Sequence, residues 1–228
     1  SDLTYRHHMA KLRHRCEALN KLDLKALRYT CKNGTDLLLE LPEGHIWLGG
    51  EESSKDGTIF NANIPTEEVF SAPQYNGVNG IVYSTKPLIY HGNTISDFSF
   101  TFKEGKIVDY TAKEGYEVLK ELIETDEGSH YLGEVALVDH FSPISQSNQI
   151  FYETLFDENA SCHLAIGASY PTCLKNSDGL SEEELKERGL NYSLTHVDFM
   201  IGDEHMNIKG YTRDGQEVDI MIDGRLQV

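Results

Sequence analysis

The spacing of apolar residues predicts a helical start followed by a β-rich chain. In the first twenty residues, apolar side chains recur every three or four positions, which is the period of one helix face. This stripe consists of Tyr5, Met9, Leu12, Cys16 and Leu19. From about residue 27 the apolar and polar residues alternate instead, as in strands with one buried face. Asn33-Gly34 between two such runs predicts a tight hairpin, and we expect a second turn at 103–106.

Two later segments interrupt the strand pattern with helical spacing. They are "GYEVLKELIET" (115–125) and "SEEELKERG" (181–189), the second opening with Ser181 and Glu184 at capping-box spacing. The chain contains no internal repeat and no Gly/Ser linker. We therefore predict an α+β fold: a mostly β domain at 27–228, with a curved, barrel-like mixed sheet and a few peripheral helices. Residues 1–26 form an N-terminal helix and entry segment.

Composition and charge narrow the classes of function. The chain has 37 acidic and 20 basic residues and a formal net charge of −17. This balance argues against binding to nucleic-acid phosphates and against adsorption to anionic membranes. No apolar run is long enough for a membrane helix. The four cysteines form no C-x-x-C pair, so we interpret them as reduced thiols of a cytoplasmic protein and expect no thiolate zinc site.

Four segments place carboxylates or imidazoles in otherwise apolar surroundings. They are "NIPTEEVFSAP" with Glu67 and Glu68, "LGEVALV" with Glu134, "FDENASCHLAIG" with Glu158 and His163, and "NYSLTHVDFMIGDE" with His196 and Asp198. On a strand, His196 and Asp198 project from the same face. Each segment alone has an ordinary structural explanation: a solvated turn, a wet strand end, a hydrogen-bonded core histidine, or a polar pair on a wet sheet face.

Taken together, the four segments indicate a metal site. Several carboxylates in apolar strands need compensating positive charge, and the sequence places no arginine near them. Carboxylate and imidazole ligands without thiolates suit Zn, Co or Mn, and mixed sets of this kind are typical of two-metal hydrolases. The chain has no G-x-S-x-G elbow, H-E-x-x-H helix, Walker A loop or Rossmann fingerprint, so the corresponding classes of enzyme have little support.

Several motifs resemble the aminopeptidase T/aminopeptidase S (PepS) family of bacterial two-metal metalloaminopeptidases. These motifs are "HIWLGG", "NIPTEEVFSAP", "STKPL", "LGEVALV", "LFDENASCHLAIG" and "THVDFMIG". The resemblance covers about residues 27–228. It implies the metal ligands Glu68, Glu134, Glu158, His163, His196 and Asp198, and matches Tyr170 to an active-site tyrosine. Members of the family are roughly twice this length and begin with an α/β domain, so we expect this chain to be a C-terminal part whose activity in isolation is open.

The resemblance also suggests a mechanism. In this hypothesis Glu134 bridges two divalent ions, Glu68, His163 and Asp198 serve one ion, and Glu158 and His196 serve the other. Glu67, or a ligand carboxylate, acts as the general base, and Tyr170 donates to the oxyanion. The expected ions are zinc first, with cobalt, manganese or magnesium as alternatives. The expected partners are peptides with a free N-terminus and a second copy in a homodimer. The alternative is a non-catalytic folding or dimerisation module.

Overall fold

The computed structural model describes residues 2–49, 67–142 and 161–228. Within these ranges the helices are α1 (Asp2–Leu22), α2 (Tyr116–Ile123) and α3 (Glu182–Glu187), with short 3-10 helices at Gly128–His130 and Pro171–Cys173. The strands are β1 (Leu24–Thr30), β2 (Asp36–Glu40), β3 (Leu48–Gly49), β4 (Val69–Ser71), β5 (Val78–Tyr83), β6 (Leu88–Tyr90), β7 (Asn93–Lys103), β8 (Lys106–Glu114), β9 (Leu132–Leu137), β10 (His163–Gly167), β11 (His196–Met200), β12 (Asn207–Thr212), β13 (Glu217–Ile222) and β14 (Arg225–Leu226).

These strands form two sheets. The larger has nine strands in the order β14-β13-β12-β1-β2-β5-β7-β6, with β8 also paired to β7. The smaller has five, in the order β11-β10-β9-β4-β3. The sheets share one core, in which the Phe199 ring lies 5.0 Å from the Phe100 ring and 6.0 Å from the Phe98 ring, measured between centroids.

The predicted α+β, mostly β architecture is confirmed, with a correction to the shape of the sheet. The two sheets are not a closed barrel, and every pairing between described strands is antiparallel rather than mixed. Short connections explain the antiparallel pairing of strands that are consecutive in the chain. Tight turns such as 104–105 and 213–216 join neighbouring strands as hairpins, and a hairpin is antiparallel by construction.

Helix α1 follows the predicted stripe. Met9, Leu12, Cys16 and Leu19 are all buried in the main core, and Tyr5 packs against it. The helix contacts strands β3 and β4 of the smaller sheet. Its apolar stripe is therefore covered by residues of this chain. Arg15 is buried on the same face of the helix.

Local signals in the sequence account for the ends of several elements. Gly34 in the β1–β2 turn has φ +104, a conformation that glycine adopts without strain. Ser181 and Glu184 form the predicted capping box at the start of α3. All four cysteines are free thiols. In the described ranges, no helix combines the length and the apolar composition needed to cross a membrane.

Candidate metal centre

One face of the five-stranded sheet carries the polar residues that the sequence singled out. Ala165 in β10 lies directly opposite Glu134 in β9 on one side and Asp198 in β11 on the other. Directly opposed residues of an antiparallel pair project from the same face, and so do residues two positions apart. His163 and His196 therefore share this face, since they lie two positions from Ala165 and Asp198, respectively.

The same face has small residues between the ligand candidates. Ala136 lies opposite His163, Ala165 lies between Glu134 and Asp198, and Gly167 lies opposite His196. These residues project at most a methyl group, so the long polar side chains beside them can converge above the sheet. On the opposite face, the alternating residues of these strands are apolar and belong to the main core. Val135, Leu164, Ile166 and Phe199 are examples, each no more than 2% exposed.

Glu68, Glu134 and His163 form the first group of potential metal ligands. Nε2 of His163 lies 3.0 Å from Oε2 of Glu134 and 3.1 Å from Oε2 of Glu68. All three side chains are buried. The other ring nitrogen, Nδ1, lies 3.0 Å from the carbonyl oxygen of Ser161. Because a carbonyl only accepts, Nδ1 carries the proton and Nε2 is the nitrogen presented to the carboxylates.

Glu134, His196 and Asp198 form the second group. Nε2 of His196 lies 3.4 Å from Oδ1 of Asp198 and 3.8 Å from Oε1 of Glu134. Its Nδ1 donates to the carbonyl oxygen of Ala168 at 2.8 Å. The two groups thus share Glu134, which turns Oε2 towards His163 and Oε1 towards His196. This is the geometry of a carboxylate placed to bridge two cations.

The electrostatics of both histidines reflect the surrounding carboxylates. Burial lowers the pKa of His163, but its hydrogen bonds to Glu134 and Glu68 outweigh burial, and the net pKa lies well above the usual value. Burial likewise lowers the pKa of His196, and Asp198 and then Glu134 raise it to a net value above normal.

These donors fit divalent metal ions. Each Nε2 lies close to carboxylate oxygens, and this arrangement is favourable when a positive charge lies between the nitrogen and the oxygens. Either a proton or a metal ion can supply that charge. The carbonyl bonds at Nδ1 are the usual way in which proteins orient metal-binding imidazoles. The set contains imidazole and carboxylate but no thiolate, a combination that suits zinc, cobalt or manganese.

A sharp turn after β10 shapes one wall of the centre. Gly167 has φ +106, and a Cβ there would lie 2.1 Å from the carbonyl oxygen of Thr195, so only glycine fits. The turn brings the Ala168 carbonyl to His196. It also places Tyr170, whose ring centroid lies 4.7 Å from that of His196. The tyrosine singled out by the resemblance is therefore in contact with the second ligand group.

Glu67 and a residue that the sequence did not indicate lie near the first group. Glu67 is buried directly before Glu68. Arg15 of α1 is also buried and donates from Nε to the carbonyl oxygen of Val228 at 3.1 Å. Burial lowers the pKa of Arg15, and attraction to Asp139 and Glu67 opposes that effect. The sequence did not indicate this attraction, because Arg15 and Glu67 are far apart along the chain.

The structure brings together five of the six ligand candidates: Glu68, Glu134, His163, His196 and Asp198. The sixth, Glu158, lies outside the described residues. The grouping also differs from the hypothesis made from the sequence. Asp198 lies with His196, not with His163, because β11 places it two positions from His196 and across Ala165 from Glu134.

A largely buried, shared set of carboxylate and imidazole side chains on an open antiparallel sheet is typical of metalloproteins. The family follows from the sequence as a whole: residues 3–226 match the thermophilic metalloprotease (M29) family, and the chain belongs to that family. The resemblance to aminopeptidases T and S is thereby confirmed.

The relatives are named as aminopeptidases. The chain is 53% identical to aminopeptidase 2 of Geobacillus stearothermophilus over 96% of its own length and 53% of that protein. It is 54% identical to aminopeptidase AmpS of Bacillus subtilis (strain 168), over 95% of its own length and 53% of that protein. The structure of wild-type AmpT from Thermus thermophilus superimposes with a TM-score of 0.91 and 40% identity, covering 99% of this chain and 55% of that one. The chain thus spans about half the length of these relatives.

Proposed function

We propose that this chain is the metal-binding, catalytic part of an aminopeptidase that removes N-terminal residues from peptides with two divalent ions. The observation that carries the proposal is the sharing of Glu134 between two largely buried groups of potential ligands. A single-metal site needs only one such group. The names of the relatives, all aminopeptidases, supply the reaction class.

The geometry suggests a revised division of ligands. In this division Glu68 and His163 would hold one ion, His196 and Asp198 would hold the other, and Glu134 would be shared by both. We keep Glu158 as a sixth ligand on the strength of the motif alone. The donor set accepts several metals. We propose zinc as the first choice, with cobalt, manganese and magnesium as alternatives.

When bound, the ions supply an acidified water and polarisation of the scissile carbonyl. The remaining steps belong to side chains of this chain. Glu67, buried beside Glu68, accepts the proton of the attacking water and passes it to the leaving amine. Tyr170 donates its hydroxyl hydrogen to the oxyanion, a contribution of about 2.7–4 kcal/mol if it resembles other oxyanion donors. Contact with the His196 ring keeps Tyr170 beside the second ligand group.

The proposed substrates are peptides with a free N-terminus, and the proposed state is a homodimer in the cytoplasm. Four free thiols agree with a reducing compartment. The net charge of −17 opposes nucleic acids and anionic membranes as partners. We further propose that 27–228 form the catalytic domain, with 1–26 as a helix and entry segment packed on it.

Metal titration combined with a paired substrate assay tests this function. The chain is treated with a chelator, dialysed and titrated with Zn²⁺, and we expect about two equivalents to bind. The loaded chain is then given leucine p-nitroanilide and its N-acetyl derivative. Hydrolysis of the first but not the second shows that a free α-amino group is required, and chelator should abolish it.

The outcomes separate the alternatives. One equivalent of bound metal contradicts the shared Glu134. Two equivalents without hydrolysis contradict catalysis by this chain and favour a folding or dimerisation module. Light scattering of the loaded protein tests the dimer, and a monomeric mass contradicts it.

A further inference from the structure

A cavity of about 320 Å³ has walls that contain aromatic rings and none of the metal-ligand candidates. Tyr75, Tyr131 and Tyr192 line it. The rings of Tyr75 and Tyr131 meet edge to face, with centroids 5.6 Å apart and planes at 69°, so the two rings form a corner. Tyr192 is 51% exposed and leaves the cavity open to ligands from solution.

The charge around these rings is strongly negative. Four acidic residues line the cavity, Asp126, Glu127, Glu182 and Glu183, against one basic residue, Lys186. Their effect reaches the phenol of Tyr131, whose pKa is raised by burial and then by Glu127. The faces of the tyrosine rings are also negative, because of the quadrupole of the π-system. The ring faces and the acidic residues therefore both favour a positively charged ligand.

An ammonium group of this chain already contacts one of the cavity's aromatic rings. Nζ of Lys186 lies 5.4 Å from the centroid of the Tyr75 ring, within the distance of a cation–π contact. Lys186 is tethered to α3, at the side of the cavity. It shows that the Tyr75 face accepts an alkylammonium ion, and it also makes Lys186 a competitor for an incoming cation.

The floor of the cavity is held by a buried amide. Nδ2 of Asn191 donates to the carbonyl oxygens of Gly128 at 2.8 Å and of Gly167 at 2.7 Å. Gly128 lies so close to the neighbouring backbone that a Cβ there would come within 1.8 Å of the Tyr192 carbonyl oxygen. These contacts join three segments that are distant in sequence, and they position Tyr131 and Tyr192, which lie in two of those segments, before any ligand arrives.

We propose that this cavity binds an organic ammonium ion, and a methylated ammonium best. Aromatic faces attract a cation whose charge is spread over methyl groups, because such an ion loses less hydration on binding. The carboxylates at the rim add long-range attraction. The proposal does not rest on the proposed aminopeptidase function.

The test compares choline with 3,3-dimethylbutan-1-ol, which has nearly the same shape and no charge. Calorimetric or NMR titration of the metal-loaded chain should show choline binding about tenfold or more tightly than the alcohol. Chemical-shift changes should centre on the three cavity tyrosines. Equal affinities, or no choline binding, overturn the proposal.

Three variants locate the binding site. Tyr75→Leu and Tyr192→Leu should each weaken choline binding several-fold by removing one ring face. Lys186→Gln should strengthen choline binding, because the tethered ammonium no longer competes for Tyr75. Tyr116→Leu is the matched control: Tyr116 is 43% exposed, stacks on Tyr110 and does not line the cavity.

Circular dichroism and the melting temperature establish that each variant is folded before it is titrated. If Tyr75→Leu is unstable, the Tyr192 and Lys186 variants still decide the question, since both alter the cavity rim. An unchanged choline affinity in both variants, or an equal loss in Tyr116→Leu, places the binding elsewhere and contradicts the proposal.

Discussion

The two faces of the five-stranded sheet are made by the same strands and are buried to a similar degree, yet their chemistry is opposite. On one face Val135, Leu164 and Phe199 pack into the core shared with the larger sheet. On the other face Glu134, His163 and Asp198 converge, with Glu134 and His163 fully buried. Strand alternation separates the two sets by a single residue step.

The difference shows how a fold can support a cluster of buried charge. The apolar face contributes to stability by removing surface from water. The polar face holds carboxylates whose desolvation is costly unless positive charge accompanies them. The small side chains of Ala136 and Ala165 leave space above the sheet for that charge. We therefore expect the apolar face to determine folding and the polar face to determine metal binding.

Removing the shared carboxylate tests this separation most strongly. Glu134→Ala should abolish metal binding at both groups, because each group loses the same residue, and metal content should fall from about two equivalents to none. Elemental analysis after dialysis against Zn²⁺ measures this. Glu114→Ala, at an exposed carboxylate on β8, is the control and should keep both ions. Retention of one ion by Glu134→Ala would falsify the bridging assignment.

Truncating the opposite face should have the reverse effect. Phe199→Ala removes a ring that packs on Phe98 and Phe100 and should lower the free energy of unfolding by about 3–5 kcal/mol. Metal stoichiometry at low temperature should not change. Chemical denaturation with and without Zn²⁺ measures both quantities, and Phe199→Leu, which retains more volume, should cost less. If folded Phe199→Ala protein no longer binds metal, metal binding depends on the apolar face as well as on the polar face.

Filling the gap between the ligands should disturb the polar face alone. Ala165→Leu adds bulk between Glu134 and Asp198 and should cost about 1–3 kcal/mol by overpacking. We expect a larger effect on metal affinity, since the added carbons occupy the space where the carboxylates converge. Calorimetric Zn²⁺ titration gives the affinity, with Ala165→Ser as the small-volume control. Normal affinity in Ala165→Leu contradicts the role assigned to the small residues.

A weaker effect is expected at the loop that leads into β11. Asp126 accepts hydrogen bonds from the Leu194 amide and the Ser193 hydroxyl, at 2.7 Å each, and from the Ser129 amide at 2.8 Å. Burial raises the pKa of Asp126, but these hydrogen bonds lower it by more than burial raises it. The net pKa is therefore below the usual value. Asp126→Asn should lower the free energy of unfolding at neutral pH by about 1–2 kcal/mol.

The pH dependence of that loss has a definite sign. A carboxyl group with a lowered folded pKa stabilises the protein above its unfolded pKa, and the stabilisation disappears as the pH falls through the folded value. The difference in free energy of unfolding between wild type and Asp126→Asn should therefore be largest at neutral pH. It should disappear as the pH falls below the ordinary pKa of aspartate. Urea denaturation across this range measures it. A gap that persists at the acid end shows that ionisation of Asp126 is not the cause.

Much of the centre could be predicted from residue order. The alternation in "THVDFM" placed His196 and Asp198 on one face, and their positions in β11 agree. The capping box, the two hairpin turns and the stripe of α1 are also local signals, and each is found where it was expected. The choice of metal-binding residue types followed from the cost of burying carboxylates in apolar strands.

Features that depend on strand register or on packing could not be predicted in this way. The assignment of Asp198 to the His163 ion did not anticipate that β11 would place it with His196. Arg15 and Glu67 are distant in the chain and become neighbours only when α1 packs on β3 and β4. Tyr75, Tyr131 and Tyr192 carry no motif, and their shared cavity exists only because separate loops meet there.

The sequence by itself thus determined the type of the main elements, the shared face of His196 and Asp198, and the chemistry that the ligand candidates favour. These properties depend on the period of the backbone and on the side chains within a few residues. Only the tertiary structure decided that Glu68 and Glu134 lie beside His163, that Glu134 also lies beside His196, and that three distant tyrosines line one cavity. Those contacts join residues that are far apart along the chain, and they depend on how strands align and helices pack, which no local pattern encodes.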